Sequence, residues 1–155
     1  MNPYLLTIIL SILPISELRG GLTYGILNKL PILPCFFICV FFNILIVPIL
    51  FFFLDFINPY LLKIKYYKRF FEFVLNKRIK KLKKKYETLT FLLLFLFVAI
   101  PAPGTGAYTG VLLSWFFKMN RKKSYLIIAL GVLAAGIITL ILLIGLQNLK
   151  IFLKL

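Results

Sequence analysis

The sequence predicts an all-α integral membrane protein: an inverted repeat in which each unit is a re-entrant helical hairpin followed by one transmembrane helix. Three observations carry this. The 155 residues are 62% hydrophobic and 17% aromatic, with a mean hydropathy of +1.02. Soluble domains run at about 45–50% apolar, and a small one buries only about two-thirds of its surface. Two apolar stretches are long enough to cross a bilayer, and two more are cut near their middle by Pro- and Gly-rich breaks. The formal charge is +15, and the basic residues are clustered: eleven lie between Lys63 and Lys85, and Lys118, Arg121, Lys122 and Lys123 form a second group.

A single membrane domain, 1–155, divides into two units. Unit 1 (1–58) opens with YLLTIILSIL at 4–13, then the break PISELRGG, then LTYGILNKL up to Pro31. At ~1.5 Å rise per residue each piece covers about half of a ~30 Å hydrocarbon core. Residues 4–30 therefore read as a hairpin that enters and leaves on one side. Residues 32–57 follow as a full span, with Pro34 at its opening, Asn43 as its central amide and Pro48 as a kink.

Residues 60–87 carry Ile64, Tyr67, Phe71, Val74, Leu75, Ile79, Leu82 and Tyr86 at helical spacing, with Lys and Arg filling the other face. This is the pattern of an amphipathic helix in the membrane interface, facing anionic headgroups. Unit 2 (88–155) repeats the order: LTFLLLFLFVAI, the break PAPGTG, AYTGVLLSWFF, then a span at 125–147 whose Gly131 and Ala135 suit close helix contact.

Charge chooses between one interrupted crossing and a hairpin at 89–117. A crossing would put one of the two basic clusters outside. A hairpin keeps 60–87 and 118–124 both on the cytoplasmic side of the plasma membrane, as the positive-inside rule prefers. The shared order implies a repeat at an offset of roughly 87–91 residues, matching Pro14 with Pro101 and Pro34 with Tyr125. One net crossing per unit makes the second unit inverted, a recurrent transporter design.

The composition also sets aside other classes. The N-terminus lacks a basic n-region and a small-residue cleavage site, so no cleavable signal peptide is expected. Basic residues that flank apolar spans argue for topology rather than nucleic acid. Cys35 and Cys39 sit four apart in an apolar run and read as small buried hydrophobes. With no His, no metal site or cofactor is suggested, and no hydrolytic triad or P-loop can be assembled. The chain is not expected to be an enzyme.

What remains is the chemistry of the breaks. Irregular backbone at membrane depth survives where protein buries it or where it lines a wet cavity, so the two breaks are expected to meet. Pro14, Pro101 and Pro103 end half-helices, and Gly20, Gly21, Gly104, Gly106 and Gly110 allow turns and close approach. Glu17 and Arg19 are costly at such a depth, by ~2.5–3.5 kcal/mol each on insertion scales. One reading makes them a neutralised pair that bonds free backbone groups. The other makes Glu17 a proton site, with Arg19 holding an anion or tuning the glutamate. Ser16, Thr105, Tyr108 and Thr109 join them as candidate cavity residues, with Asn43 either reaching the cavity or bonding a neighbouring helix. The helix N-terminus after the second break suits an anion such as a lipid phosphate or a carboxylate.

PISELRGGLTYG followed by PAPGTGAYTG resembles the paired motifs of the small multidrug export protein family, over nearly the whole chain. That family is similar in turn to the DedA (VTT, SNARE-associated) membrane proteins. The resemblance implies two facing re-entrant hairpins and proton-linked transport, with Glu17 and Arg19 as the membrane acid and arginine. PAPGTGAYTG departs from the DedA pattern in having no arginine around its Pro-Gly.

The expected function is export of small amphiphilic compounds. The alternatives are DedA-like flipping of phospholipid or polyprenyl phosphate, and a non-transporting scaffold. Expected partners are protons, the amphiphilic or lipid substrate and anionic lipids. A second copy of the chain is a further candidate, because so few helices enclose a cavity poorly.

Overall fold

The computed structural model describes residues 2–61, 87–102 and 104–153. Most of the segment expected as an amphipathic helix, 62–86, lies outside the described residues, as does Pro103. Among the described residues six helices follow in order: α1 (Pro3–Ile12), α2 (Glu17–Leu27), α3 (Ile32–Leu61), α4 (Glu87–Ala99), α5 (Ala107–Phe116) and α6 (Arg121–Leu153). Among the described residues there are no strands. Stretches of 26 residues in α3 (Ile32–Ile57) and α6 (Arg121–Leu146) are long and apolar enough to cross a membrane. The helix α6 begins before the expected 125, and α3 continues unbroken through Pro48, which the sequence marks for a kink.

Local chemistry sets the helix ends. The Asn2 side chain caps α1 by accepting from Tyr4 N–H at 3.0 Å, and Pro3 follows as the first helical residue, where a missing N–H costs nothing. At the other end of each hairpin, α2 and α5 finish identically. Lys29 and Lys118 adopt positive φ (61° and 47°). Leu30 N–H bonds Gly25 O at 3.0 Å, and Met119 N–H bonds Ser114 O at 2.9 Å. Both are Schellman closures. These lysines stand 89 residues apart, as do Gly21 and Gly110.

Each pair of short helices is antiparallel. Gly21 lies against Ser11, and Gly25 against Thr7 and Cys35; a Cβ at Gly21 would stand 2.7 Å from Thr7 O. Thr7 and Ser11 are fully buried here, their hydroxyls donating to Pro3 O and Thr7 O at 2.9 and 2.7 Å. This is small-residue packing, helix on helix, with the polar atoms satisfied internally. In the second pair a Cβ at Gly110 would stand 2.7 Å from Val98 Cγ2.

The long helices α3 and α6 also run antiparallel: Gly136 packs on Phe36 and Val40, while Asp55 meets Arg121 at the other end. Thus α1 and α2 stand at the N-terminal half of α3, and α4 and α5 at the N-terminal half of α6. Ser11 O accepts from Asn43 Nδ2 at 2.9 Å near the middle of α3, and Val98 lies on Gly131 near the middle of α6. Helix α2 also packs on α6, and α5 on α3, so each hairpin is clamped between both long helices. The core joins Leu22, Val47, Val98, Val111 and Ile128 across all these elements.

Gly21→Val should lower folding stability by about 1–3 kcal/mol through overpacking, read as an earlier melt of Trp115 fluorescence in detergent. Gly145→Val, where a Cβ meets open space, should change it by less than about 0.5 kcal/mol.

Candidate functional site

The two breaks meet. Residues 13–16 end the first hairpin and 100–106 the second, and each leaves carbonyls at the end of one short helix and N–H groups at the start of the next. Glu17 is the first residue of α2, yet its φ is 49°, a left-handed conformation rare for a side-chain-bearing residue. From there its carboxylate reaches the start of α5, where Tyr108 N–H donates to Oε1 at 3.3 Å. Gly106 makes room: its φ is 139°, and a Cβ there would overlap the Glu17 carboxylate. Only 8% of Glu17 is exposed. A negative group at a helix N-terminus meets both the free amides and the positive end of the dipole.

Arg19 serves the opposite end. Its Nη1 donates to Ala102 O, and its Nη2 to Ile100 O (3.1 Å), Thr105 O (3.0 Å) and Thr105 Oγ1 (3.0 Å). The guanidinium therefore closes the carbonyl end of α4. Thr105 Oγ1 adds bonds to Ile100 O and Ala102 O, both at 2.7 Å. The first hairpin is closed in return: the Tyr108 hydroxyl donates to Ile12 O, and Ser16 Oγ to Leu10 O at 2.6 Å.

Glu17 and Arg19 both bond free backbone groups, as one of the two readings expected, but those groups belong to the other break. No ion pair joins them among the described residues, and each bonds the second break. Two residues apart on a helix, they point to different sides. The anion expected at the N-terminus of α5 is the protein's own Glu17.

A cavity of about 370 Å³ opens beside these groups, lined by Glu17, Arg19, Ser16, Pro101, Gly104, Thr105, Tyr108 and Thr109, together with Pro14 and Ile15. Five other expected cavity residues lie outside its lining. Gly21 and Gly110 are helix-contact glycines, Gly20 packs on Ser16, Gly106 sits behind Glu17, and Asn43 bonds Ser11 O. Pro103 is outside the described residues. Sequence reasoning missed Ile15, 98% exposed at the hairpin tip.

It also missed a second polar cluster. Asp55 of α3 forms a two-pronged pair with Arg121 (Nη1–Oδ2 2.6 Å, Nη2–Oδ1 2.7 Å) and accepts from Trp115 Nε1 at 2.9 Å. A lone acid near the end of an apolar span, facing a basic loop, was the available signal.

Gly106→Ala combines a disfavoured φ with a steric overlap. It should lower the detergent melt by more than about 2 kcal/mol, whereas Glu17→Gln, which keeps the shape and loses the charge, should cost about 1–2 kcal/mol. A reversed order would separate the carboxylate from the glycine cradle.

Among the comparisons with known proteins, a family profile described as "Putative small multi-drug export protein" matches residues 17–138, from Glu17 through the second break and into α6. No curated protein and no solved structure matches the chain. The match covers most of the sequence, and the chain belongs to that family.

Proposed function

We propose that the protein is a small proton-linked transporter that exports amphiphilic compounds. In this reading both hairpins are re-entrant, and the two units are inverted about the membrane midplane. The observation that carries it is the Glu17 carboxylate. It belongs to one hairpin, is held by the helix end of the other, and lines the cavity between them. An ionisable joint between two bodies is a device by which a proton can bias their arrangement.

While ionised, Glu17 binds α5 through a charge-assisted bond, roughly twice as strong as a neutral one. A proton removes the charge and weakens that hold. Arg19 keeps the first hairpin bonded to residues 100–105, so the α5 side of the seam loosens first. The cavity then has a changed mouth, and the units rock around it. The antiparallel arrangement of α3 and α6, and the clamping of each hairpin by both long helices, support the inverted architecture.

Lipid flipping in the DedA manner is the second reading, and it would need Arg19 to hold an anionic headgroup. Its terminal nitrogens are engaged by Ile100, Ala102 and Thr105, which favours amphiphile export. A scaffold would tolerate the neutral isostere at position 17.

In proteoliposomes with an imposed pH gradient, the wild type should move a cationic dye. Glu17→Gln should reduce the rate at least about tenfold, a barrier change of ~1.4 kcal/mol, while it stays folded at the assay temperature despite the stability cost given above. Movement of a labelled phospholipid instead of the dye would establish the flipping reading. Equal rates for wild type and Glu17→Gln would overturn proton coupling at this residue.

A further inference from the structure

We propose that the groove between the C-terminal half of α3 and the N-terminal end of α6 seats one anionic phospholipid. Two cavities, of about 370 and 490 Å³, lie on either side of the Asp55–Arg121 pair and share Phe51, Asp55 and Arg121 as walls. Neither takes any residue of the break site.

Their charge is one-sided: Lys118, Arg121 and Lys122 line them against the single acid Asp55. Asp55 grips the Arg121 guanidinium by both oxygens and fixes it at the boundary between the cavities, 6.0 Å from the centre of the Phe51 ring. The pair spends the Arg121 fork on Asp55, so the attraction for a phosphate comes from the net positive charge that Lys118 and Lys122 add beside it.

The polarity of the larger cavity is graded along the helices. Asp55, Arg121 and Lys122 form its charged end. Its other end is Pro48, Phe52 and Leu126. At ~1.5 Å per residue, Pro48 lies about 10 Å deeper along α3 than Asp55, and Leu126 about 7 Å deeper along α6 than Arg121.

A charged head and an apolar tail pointing into the span are the two halves of a lipid, whereas a free phosphate would use only the first. The excess of base over acid selects an anionic headgroup over a zwitterionic one. Trp115 and Tyr125 flank the charged end, as aromatic side chains do at headgroup level. The proposal is independent of whether Glu17 carries a proton.

The test is native mass spectrometry of the full chain released from nanodiscs of equal phosphatidylcholine and phosphatidylglycerol. The wild type should retain one phosphatidylglycerol, in preference to phosphatidylcholine by about tenfold. Lys122→Glu removes headgroup charge and Leu126→Trp fills the apolar end. Both positions are exposed, so the fold tolerates them, and each should abolish most of that preference. Lys29→Glu, at the far end of the molecule, should leave it intact.

Loss with Lys122→Glu but not with Leu126→Trp would overturn the groove in favour of general attraction to a basic surface. Displacement of the lipid by free glycerol phosphate would overturn the lipid in favour of a soluble phosphate. Retention by both groove variants at the wild-type level would overturn the site altogether.

Discussion

The ends of four short helices come together at one level of this molecule, and groups at three of those ends are bonded by the opposite hairpin. A helix interrupted inside an apolar layer cannot turn to water for its last carbonyls and first amides. Here Glu17 takes the amide end of α5, Arg19 takes the carbonyl end of α4, and Tyr108 and Ser16 take the carbonyl end of α1. Each charge also opposes the helix-dipole end that suits it. The exchange crosses from one hairpin to the other, and Ser16 and Thr105 add bonds within their own breaks. The clamped arrangement of short helices between α3 and α6 follows from that mutual need, and so does the tolerance of two formal charges in so apolar a chain.

Much of this was open to reading from residues alone. The two long apolar stretches, the half-length pieces beside them and the repeated order all came from length, hydropathy and the positions of Pro and Gly. What sequence could not supply was partner choice. Glu17 and Arg19 are neighbours in the chain, and proximity suggests a pair. Their spacing on a helix argues against one, but only the second break shows where they go. The left-handed φ at Glu17 carries no sequence signature, since glycine or asparagine would be the usual residue there. Gly21 reads as a turn residue because it follows Gly20, yet its role depends on Ser11 and Thr7 from another helix. Asp55 and Arg121 are 66 residues apart and become partners only because α3 and α6 run in opposite directions.

The two polar clusters divide the work by position. The break site lies where the short helices stop, beside the middle of the long ones. The Asp55 cluster lies at the basic end, where α3, α5 and α6 converge. Both join the first three described helices to the last three, one through helix ends and the other through side chains alone. Membership of an export family gives the first cluster its interest, because a buried acid on a seam between units is expensive unless its charge state matters.

The glycine packing of the first hairpin has a mechanical consequence. With Gly21 and Gly25 pressed on Thr7 and Ser11, no layer of flexible side chains separates α1 from α2, so the pair has little internal give and behaves as a stiff lever. Its long arm ends at the tip that carries Glu17. That tip is tied to α5 through Glu17 and Ile12 O, and one turn of chain behind it Asn43 ties Ser11 O to α3. A force on the tip would therefore reach the middle of α3 through the bond from Asn43 as well as through the side-chain packing.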